Sequence, residues 1–319
     1  MEKRKRDPGE LIEMMESGIT RGLSRAISVV ENNRAGRDLL LNWAFHKGSR
    51  ALTLGFTGSP GAGKSSLVNN LLKAYRAKGK SIGVIAVDPT SPFSGGAVLG
   101  DRIRMSEHSS DRDIYIRSMA SRRALGGLSE AAKAVLYLFK AFGFDLILIE
   151  TVGVGQDEID IAKYADITTV VLSPGYGDGI QMSKAGIMEI ADLFIVNKFD
   201  KPEGDVLRRQ LENVLVPIPD DERPPVVCTV ATEGKGIQET IDAIEQVTLR
   251  QVDGKDAKFK ERVTEEIRSS VIFEVNKRIQ PIVEEMVEGV VGGRQTPMEA
   301  VNRILHDRKW LPEDDGDSN

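Results

Sequence analysis

Residues 55–70, GFTGSPGAGKSSLVNN, have the types and spacing of a polyphosphate cradle. Gly58, Gly63, Lys64 and Ser65 satisfy G-x-x-x-x-G-K-[ST], with Ser59, Pro60, Gly61 and Ala62 inside the interval and Ser66 just after it. The glycines let successive backbone N–H groups turn inward on phosphate oxygens, and the Lys64 ammonium places a charge at the β and γ positions. The Ser65 hydroxyl, at the start of a helix, can ligate Mg²⁺. Such a loop works only between a strand and a helix. The β-branched and apolar run 51–57 and the helically spaced Leu67, Val68, Leu71 and Leu72 supply both in the required order.

The choice of nucleotide rests on a second segment. In IVNKFDK, Asn197, Lys198 and Asp200 form N-K-x-D behind the apolar run 193–196. A carboxylate at Asp200 can accept both guanine N1–H and the exocyclic amine, a pair of donors that adenine lacks. Asn197 can support N7 and the loop, and the Lys198 stem can lie along the base plane. A site whose buried polar groups must all be paired discriminates by about 10⁴, so GTP and GDP are the expected ligands. A further base-contact loop is expected after the run 225–230. There Val230 stands where such loops usually carry Ser, which leaves the Ala231 backbone N–H as the donor to the base.

Acids at strand ends complete the constellation. Glu150 closes the apolar run 146–149, with Gly153 three residues on, as in D-x-x-G, and a carboxylate there can hold Mg²⁺ directly or through water. Asp88 and Asp101 flank the Gly95-Gly96 loop and are the other acids expected at Mg²⁺ or its waters. The candidate metal ligands are therefore Ser65, Asp88, Asp101 and Glu150. Val154 follows Gly153 where a water-orienting Gln would stand, so Gln156 is the substitute candidate and slow intrinsic hydrolysis is expected.

These residues need a sheet with helices on both faces. Apolar runs at 82–87, 114–116, 145–149, 167–172, 193–196 and 226–230 alternate with helical stretches, the pattern of an α/β chain with a mostly parallel sheet. Residues 8–32 read as one or two amphipathic helices before the first strand. After the helical stretch 237–247, the polar segment 250–258 reads as a hinge. A long amphipathic helix through Val263, Ile267, Val271, Ile272, Val275 and Ile279 follows, then another helix near 297–306. The predicted organisation is an N-terminal helical extension at 1–50, a P-loop GTPase domain at 51–250, and a C-terminal helical arm at 251–319 ending in an acidic tail that reads as disordered.

Composition narrows the classes. The 319 residues hold 43 Lys and Arg against 48 Asp and Glu, a net charge of −5 without the basic surplus usual in nucleic-acid binders. No apolar run reaches the roughly 18 residues of a membrane span, and the basic cluster 3–6 lacks the apolar stretch of a signal, so it reads as a solvated terminus. The single cysteine, Cys228, is expected to be a buried strand residue and makes no disulfide framework, which fits a reducing cytoplasm.

The strings VDPTSPFSGGAVLGDRIRM, ETVGVGQDEIDIA and GDGIQMSKAGIMEIADLFIVNKFD, with the two helical flanks, resemble the MeaB/ArgK family of SIMIBI-class GTPases, chaperones of adenosylcobalamin-dependent methylmalonyl-CoA mutase. The resemblance covers most of the chain and is strongest over 58–200. It implies a homodimer tied by the C-terminal arm, using GTP to gate cofactor delivery to an acyl-CoA mutase and to protect that enzyme. It also implies Asp88, Asp101 and Glu150 as magnesium-site acids and a third switch at 177–184, whose charged residues are Asp178 and Lys184. These two join Lys64, Glu150 and Gln156 as candidate catalytic residues. Two rival classes share the loop. A nickel-delivering GTPase should show a Cys/His metal site, whereas His46, His108 and His306 are scattered and Cys228 is alone. A kinase or transport ATPase is opposed by N-K-x-D.

Overall fold

The computed structural model describes residues 7–48, 51–89, 111–121, 130–151, 161–175, 188–251 and 255–307. Asp101, Gln156, Asp178 and Lys184 lie outside these residues, as does the acidic tail, and of Asp88 only the backbone is described. The chain divides into two compact units, Met1–Val252 and Asp253–Asn319.

In the first unit, helices α1 (Pro8–Glu16), α2 (Thr20–Glu31) and α3 (Arg37–Lys47) precede strand β1 (Leu52–Thr57). Then come α4 (Lys64–Ala77), β2 (Ile82–Pro89), β3 (Ile114–Ser121), α5 (Glu130–Phe142), β4 (Leu146–Thr151), β5 (Ile167–Leu172), β6 (Leu193–Asn197), α6 (Gly204–Leu215), β7 (Val226–Thr229) and α7 (Ile237–Arg250). The strands form one seven-stranded sheet in the order β3-β2-β4-β1-β5-β6-β7, and every described pairing is parallel. β1 lies between β4 and β5, so the chain leaves it towards one edge and later returns on its other side. The crevice outside the carboxyl ends of strands at such a point is where open α/β sheets bind ligands.

Side-chain alternation explains why both faces are covered. In β4 Ile147 and Ile149 join one apolar cluster and Leu146 and Leu148 the opposite one, so all six residues of the strand are buried. The first cluster packs Ile85, Val87 and Met119 of the sheet against α5 and the N-terminal helices; the second packs Leu54, Phe56 and Val84 against α4 and α7. A third, on α6, buries Leu207, Leu211 and Leu215 against Val170, Phe194 and Val196. Leu23, Ile27 and Leu40 of α2 and α3 are fully buried in the α5 cluster. At roughly 1.5–3 kcal/mol per buried apolar side chain, this makes the N-terminal helices part of the same core and not a detachable cap.

Four local expectations are corrected. α3 was not foreseen, because the run LLLNWAF is apolar all round and shows no single stripe; only Leu40 and Ala44 of this helix are buried. β3 runs to Ser121, well beyond the apolar triplet 114–116. Among the described strands it is an edge paired with β2, and its polar Arg117 bonds Glu31 of α2 while the Tyr115 hydroxyl meets Ser24. Cys228 is in β7 as expected but half-buried, since β7 is the opposite edge. The supposed hinge is shorter, because α7 continues to Arg250 and the next helix begins at Lys255.

The second unit holds α8 (Lys255–Val291) and α9 (Pro297–Asp307). α9 opens with a reciprocal cap: Thr296 donates its N–H to Glu299 Oε2 at 2.7 Å, and the Glu299 N–H returns to Thr296 Oγ1 at 3.2 Å. Gln295 donates to the Met286 carbonyl at 3.0 Å, fixing the turn between the helices.

Candidate functional site

At the carboxyl end of β1 the chain turns into a loop whose shape needs its glycines. Gly58 has φ +132°, and a Cβ there would lie 2.1 Å from the Val171 carbonyl oxygen of β5. Gly63 has φ +94°, and a Cβ there would lie 2.2 Å from the Asn197 amide nitrogen. α4 begins at Lys64 immediately afterwards, so its unsatisfied N–H groups and positive dipole end face the loop. Lys64 is buried, with its ammonium hydrogen-bonded to the Gly58 carbonyl and, at 3.0 Å, to the Ser59 carbonyl. Ser59 and Ala62 are buried, whereas Pro60 and Gly61 are exposed at the tip and Ser66 is half-buried behind it. Phosphate oxygens would meet a cation already held inside the cradle.

The register of the sheet brings an acid to this loop. Glu150 pairs with Phe56 of β1 and Ala86 of β2, at the carboxyl end of β4, and is 1% exposed. Ser65 Oγ donates to Glu150 Oε1 at 2.6 Å. A hydroxyl at a helix N-terminus against a buried carboxylate is an all-oxygen pair, the chemistry that hard Mg²⁺ prefers over softer metals. Ser65 and Glu150 therefore fit the ion, and the β2 backbone carries Asp88 to the same rim, two residues past the Ala86–Glu150 pairing.

The N-K-x-D segment leaves β6 at the same end. Asn197 is 2% exposed and donates Nδ2 to the Ala62 carbonyl at 2.8 Å. Its Oδ1 accepts from Thr229 Oγ1 and from the Ala231 N–H, both at 3.0 Å. Lys198 has φ +57°, unusual for a residue with a side chain, and its ammonium reaches the Gly61 carbonyl at 2.7 Å, so the stem crosses from β6 to the tip of the cradle. Asp200 is exposed on the turn that follows. The Lys235 ammonium is held above the usual lysine range, first by its hydrogen bond to Glu233 and, more weakly, by the field of Asp200. The Phe199 N–H donates to the Thr229 carbonyl at 3.0 Å, which holds the turn that carries Asp200 beside the end of β7.

The Ala231 N–H donates to Asn197 Oδ1, because the β6–β7 register sets Asn197 beside Thr229 and the next loop closes over its side chain, so the loop after β7 and the N-K-x-D turn form one hydrogen-bonded unit. Sequence reasoning missed two residues, Thr229 and Asn70. Asn70 of α4 donates to the Ala231 carbonyl at 2.6 Å. An Asn inside a helix, where its propensity is low, is a sequence signal for such a tertiary bond.

A glycine-rich loop opening a helix, an acid on the neighbouring strand and an N-K-x-D turn, all at the carboxyl rim of one parallel sheet, define a P-loop nucleotide-binding protein. A crystal structure of an LAO/AO transport system kinase has the same fold, with a TM-score of 0.71 over 95% of this chain and 97% of that one, at 24% identity. A family model described as methylmalonyl Co-A mutase-associated GTPase MeaB matches residues 23–283, and the chain belongs to this family of P-loop GTPases. A relative from Pyrococcus abyssi, named as a GTPase, is 43% identical over 291 residues, covering 89% of this chain and 85% of its own. GTPase ArgK of Escherichia coli is 36% identical over 248 residues, 74% of each chain.

Proposed function

We propose that this GTPase is a chaperone that gates adenosylcobalamin loading into an acyl-CoA mutase, methylmalonyl-CoA mutase or a close relative, and protects that enzyme. The observation that carries the reading is the match of residues 23–283 to a mutase-associated family, supported by a cradle in which Ser65 meets Glu150 and Asn197 grips Ala62. Lys64 neutralises the β- and γ-phosphates, Ser65, Glu150, Asp88 and Asp101 hold Mg²⁺, and Asp200 reads the guanine edge. When bound, Mg²⁺ supplies charge neutralisation at the β and γ oxygens. Gln156 orients the attacking water, and Asp178 and Lys184 answer the partner.

The organisation proposed is a helical extension at 1–50, a GTPase domain at 51–250 and an arm at 251–319 that pairs two copies. Ile267, Val271 and Ile272 of α8 are all more than half exposed in the single chain, and an apolar helix face of that kind is suited to burial against a second copy. Among the described residues no helix is long and apolar enough to cross a membrane. A cytoplasmic location is proposed from the single thiol.

The test is GTP turnover with and without saturating mutase. In other GTPases stimulation in trans reaches about 10³ to 10⁵. Lys184→Ala and Asp178→Ala should keep GTP affinity and basal turnover and lose most of the stimulation. Full stimulation of both variants would remove the switch role, and a wild-type rate indifferent to the mutase would remove the chaperone reading.

A further inference from the structure

The backbone N–H and carbonyl of Ala231 are held by two asparagines that come from distant parts of the chain. From β6, Asn197 Oδ1 takes its N–H at 3.0 Å. From α4, Asn70 Nδ2 gives a hydrogen bond to its carbonyl at 2.6 Å and another to the Ser66 carbonyl, one turn back, at 2.9 Å. Both amide protons of Asn70 are therefore used. The orientation follows from the partners, since a flipped amide would set Oδ1 against two carbonyl oxygens.

The loop so held is also tied internally. Val230 and Lys235 form an antiparallel bridge, with Val230 N–H on the Lys235 carbonyl at 3.1 Å. Gly236, at φ +80°, brings the chain against the Cys228 carbonyl, where a Cβ would come within 2.3 Å. Val230 offers no hydroxyl to anchor the loop, and the Ala231 methyl is buried in the apolar cluster under α4 and α7. The height of the loop relative to the phosphate cradle is set by Asn197, which also grips Ala62, and by Asn70, which stands six residues, about 9 Å of helix rise, along α4 from Lys64.

We propose that Asn70 is a positioning residue for nucleotide selection: it is a strut from the phosphate-binding helix that fixes the 230–236 loop where a guanine ring is accepted and adenine is not. The proposal rests on the guanine reading of the N-K-x-D turn. The two bonds of Asn70 go to the Ser66 and Ala231 carbonyls and reach neither Lys64 nor the Ser65–Glu150 pair, so its loss acts on the base side of the site. Without the strut the loop keeps its internal bridge but can shift as a unit, and the edge contacts made with Asp200 lose their alignment.

The experiment compares the full-length protein with Asn70→Asp, which keeps the shape and removes both donors, and Asn70→Leu, which keeps the volume. Dissociation constants for GTP, GDP and ATP are measured with Mg²⁺ by displacement of a fluorescent guanine nucleotide. Both variants should bind GTP and GDP about tenfold more weakly, the scale of one lost buried hydrogen bond, with ATP affinity unchanged, so the GTP-to-ATP preference falls by the same factor. An unchanged preference overturns the proposal, whether guanine binding is intact or ATP binding falls in proportion, as it would for a purely structural role. A wild-type protein that binds GTP and ATP alike would overturn the guanine reading itself, and the strut with it.

Discussion

Strand β4 has a carboxylate at each end, and the two do different things. At its amino end Asp145 Oδ2 accepts the Ser81 N–H and the Ser81 hydroxyl, each at 2.8 Å. The same device recurs along that rim. Asp166, just before β5, accepts the Thr53 N–H at 2.8 Å, and Asp192, just before β6, accepts the Thr168 N–H at 2.9 Å. Each acid stands in front of one strand and satisfies a backbone donor of its neighbour, as buried sheet edges require. At the carboxyl end Glu150 faces a side-chain hydroxyl on a helix N-terminus, beside the glycine-rich loop that leaves β1. A backbone N–H cannot be exchanged for another partner without breaking the sheet, whereas a hydroxyl can rotate its lone pairs towards a cation. The amino rim is thus a set of staples and the carboxyl rim a set of groups available to ligands.

The largest separation between the rims should come from Glu150→Ala. Turnover of GTP should fall by about two orders of magnitude or more, the scale for losing a group that stabilises charge in the transition state, while GDP binding measured without Mg²⁺ stays near wild type. Normal turnover with normal Mg²⁺ dependence would make Glu150 a staple like Asp145. Next in size, Asp200→Asn should weaken GTP by about 2 kcal/mol, the cost of a mispaired buried polar group, and favour xanthosine triphosphate, whose 2-oxo group accepts where guanine donates. A variant that keeps the wild-type preference would take base reading away from Asp200.

The carboxyl rim was far more legible in the sequence than the contacts that brace it. The cradle, Glu150 and the N-K-x-D turn are short and contiguous, and their chemistry demands fixed spacing, so they stand out against the apolar runs that become β1, β4 and β6. Edge strand β3 was under-read because polar Arg117 and Ser118 interrupt it, and α3 because its apolar residues do not fall on one face. Asn70 and Ala231 are 161 residues apart, and Thr53 and Asp166 are 113 apart. Nothing in local periodicity signals that such pairs meet; strand order decides it, and strand order is a property of the whole sheet. For that reason the bond from the Ala231 N–H to Asn197, at the end of a neighbouring strand, is not legible from local sequence.

The smallest effect is expected at Asp145, and it tests the amino rim directly. The Ser81 backbone N–H, then the Ser81 hydroxyl and the charge of Lys80, hold this carboxyl below the usual aspartate range, against some opposition from burial. A depressed folded-state pKa means that the ionised form is favoured by folding. The stabilisation is complete above the unfolded value of about 3.9 and is lost as pH falls through the lower folded value. The side chain is 46% exposed, so solvent screening limits the contribution to about 0.2–1 kcal/mol. Asp145→Asn keeps an oxygen to accept from Ser81 and removes the charge. The variant should melt slightly below wild type at pH 7, and the gap should close as pH falls from about 5 towards 3 and below, with GTP affinity at pH 7 unchanged throughout. Melting curves across that range, paired with nucleotide titration, check both parts. A gap that does not depend on pH would mean that the staple works by shape alone, and a change in GTP affinity would mean that the two ends of β4 are coupled.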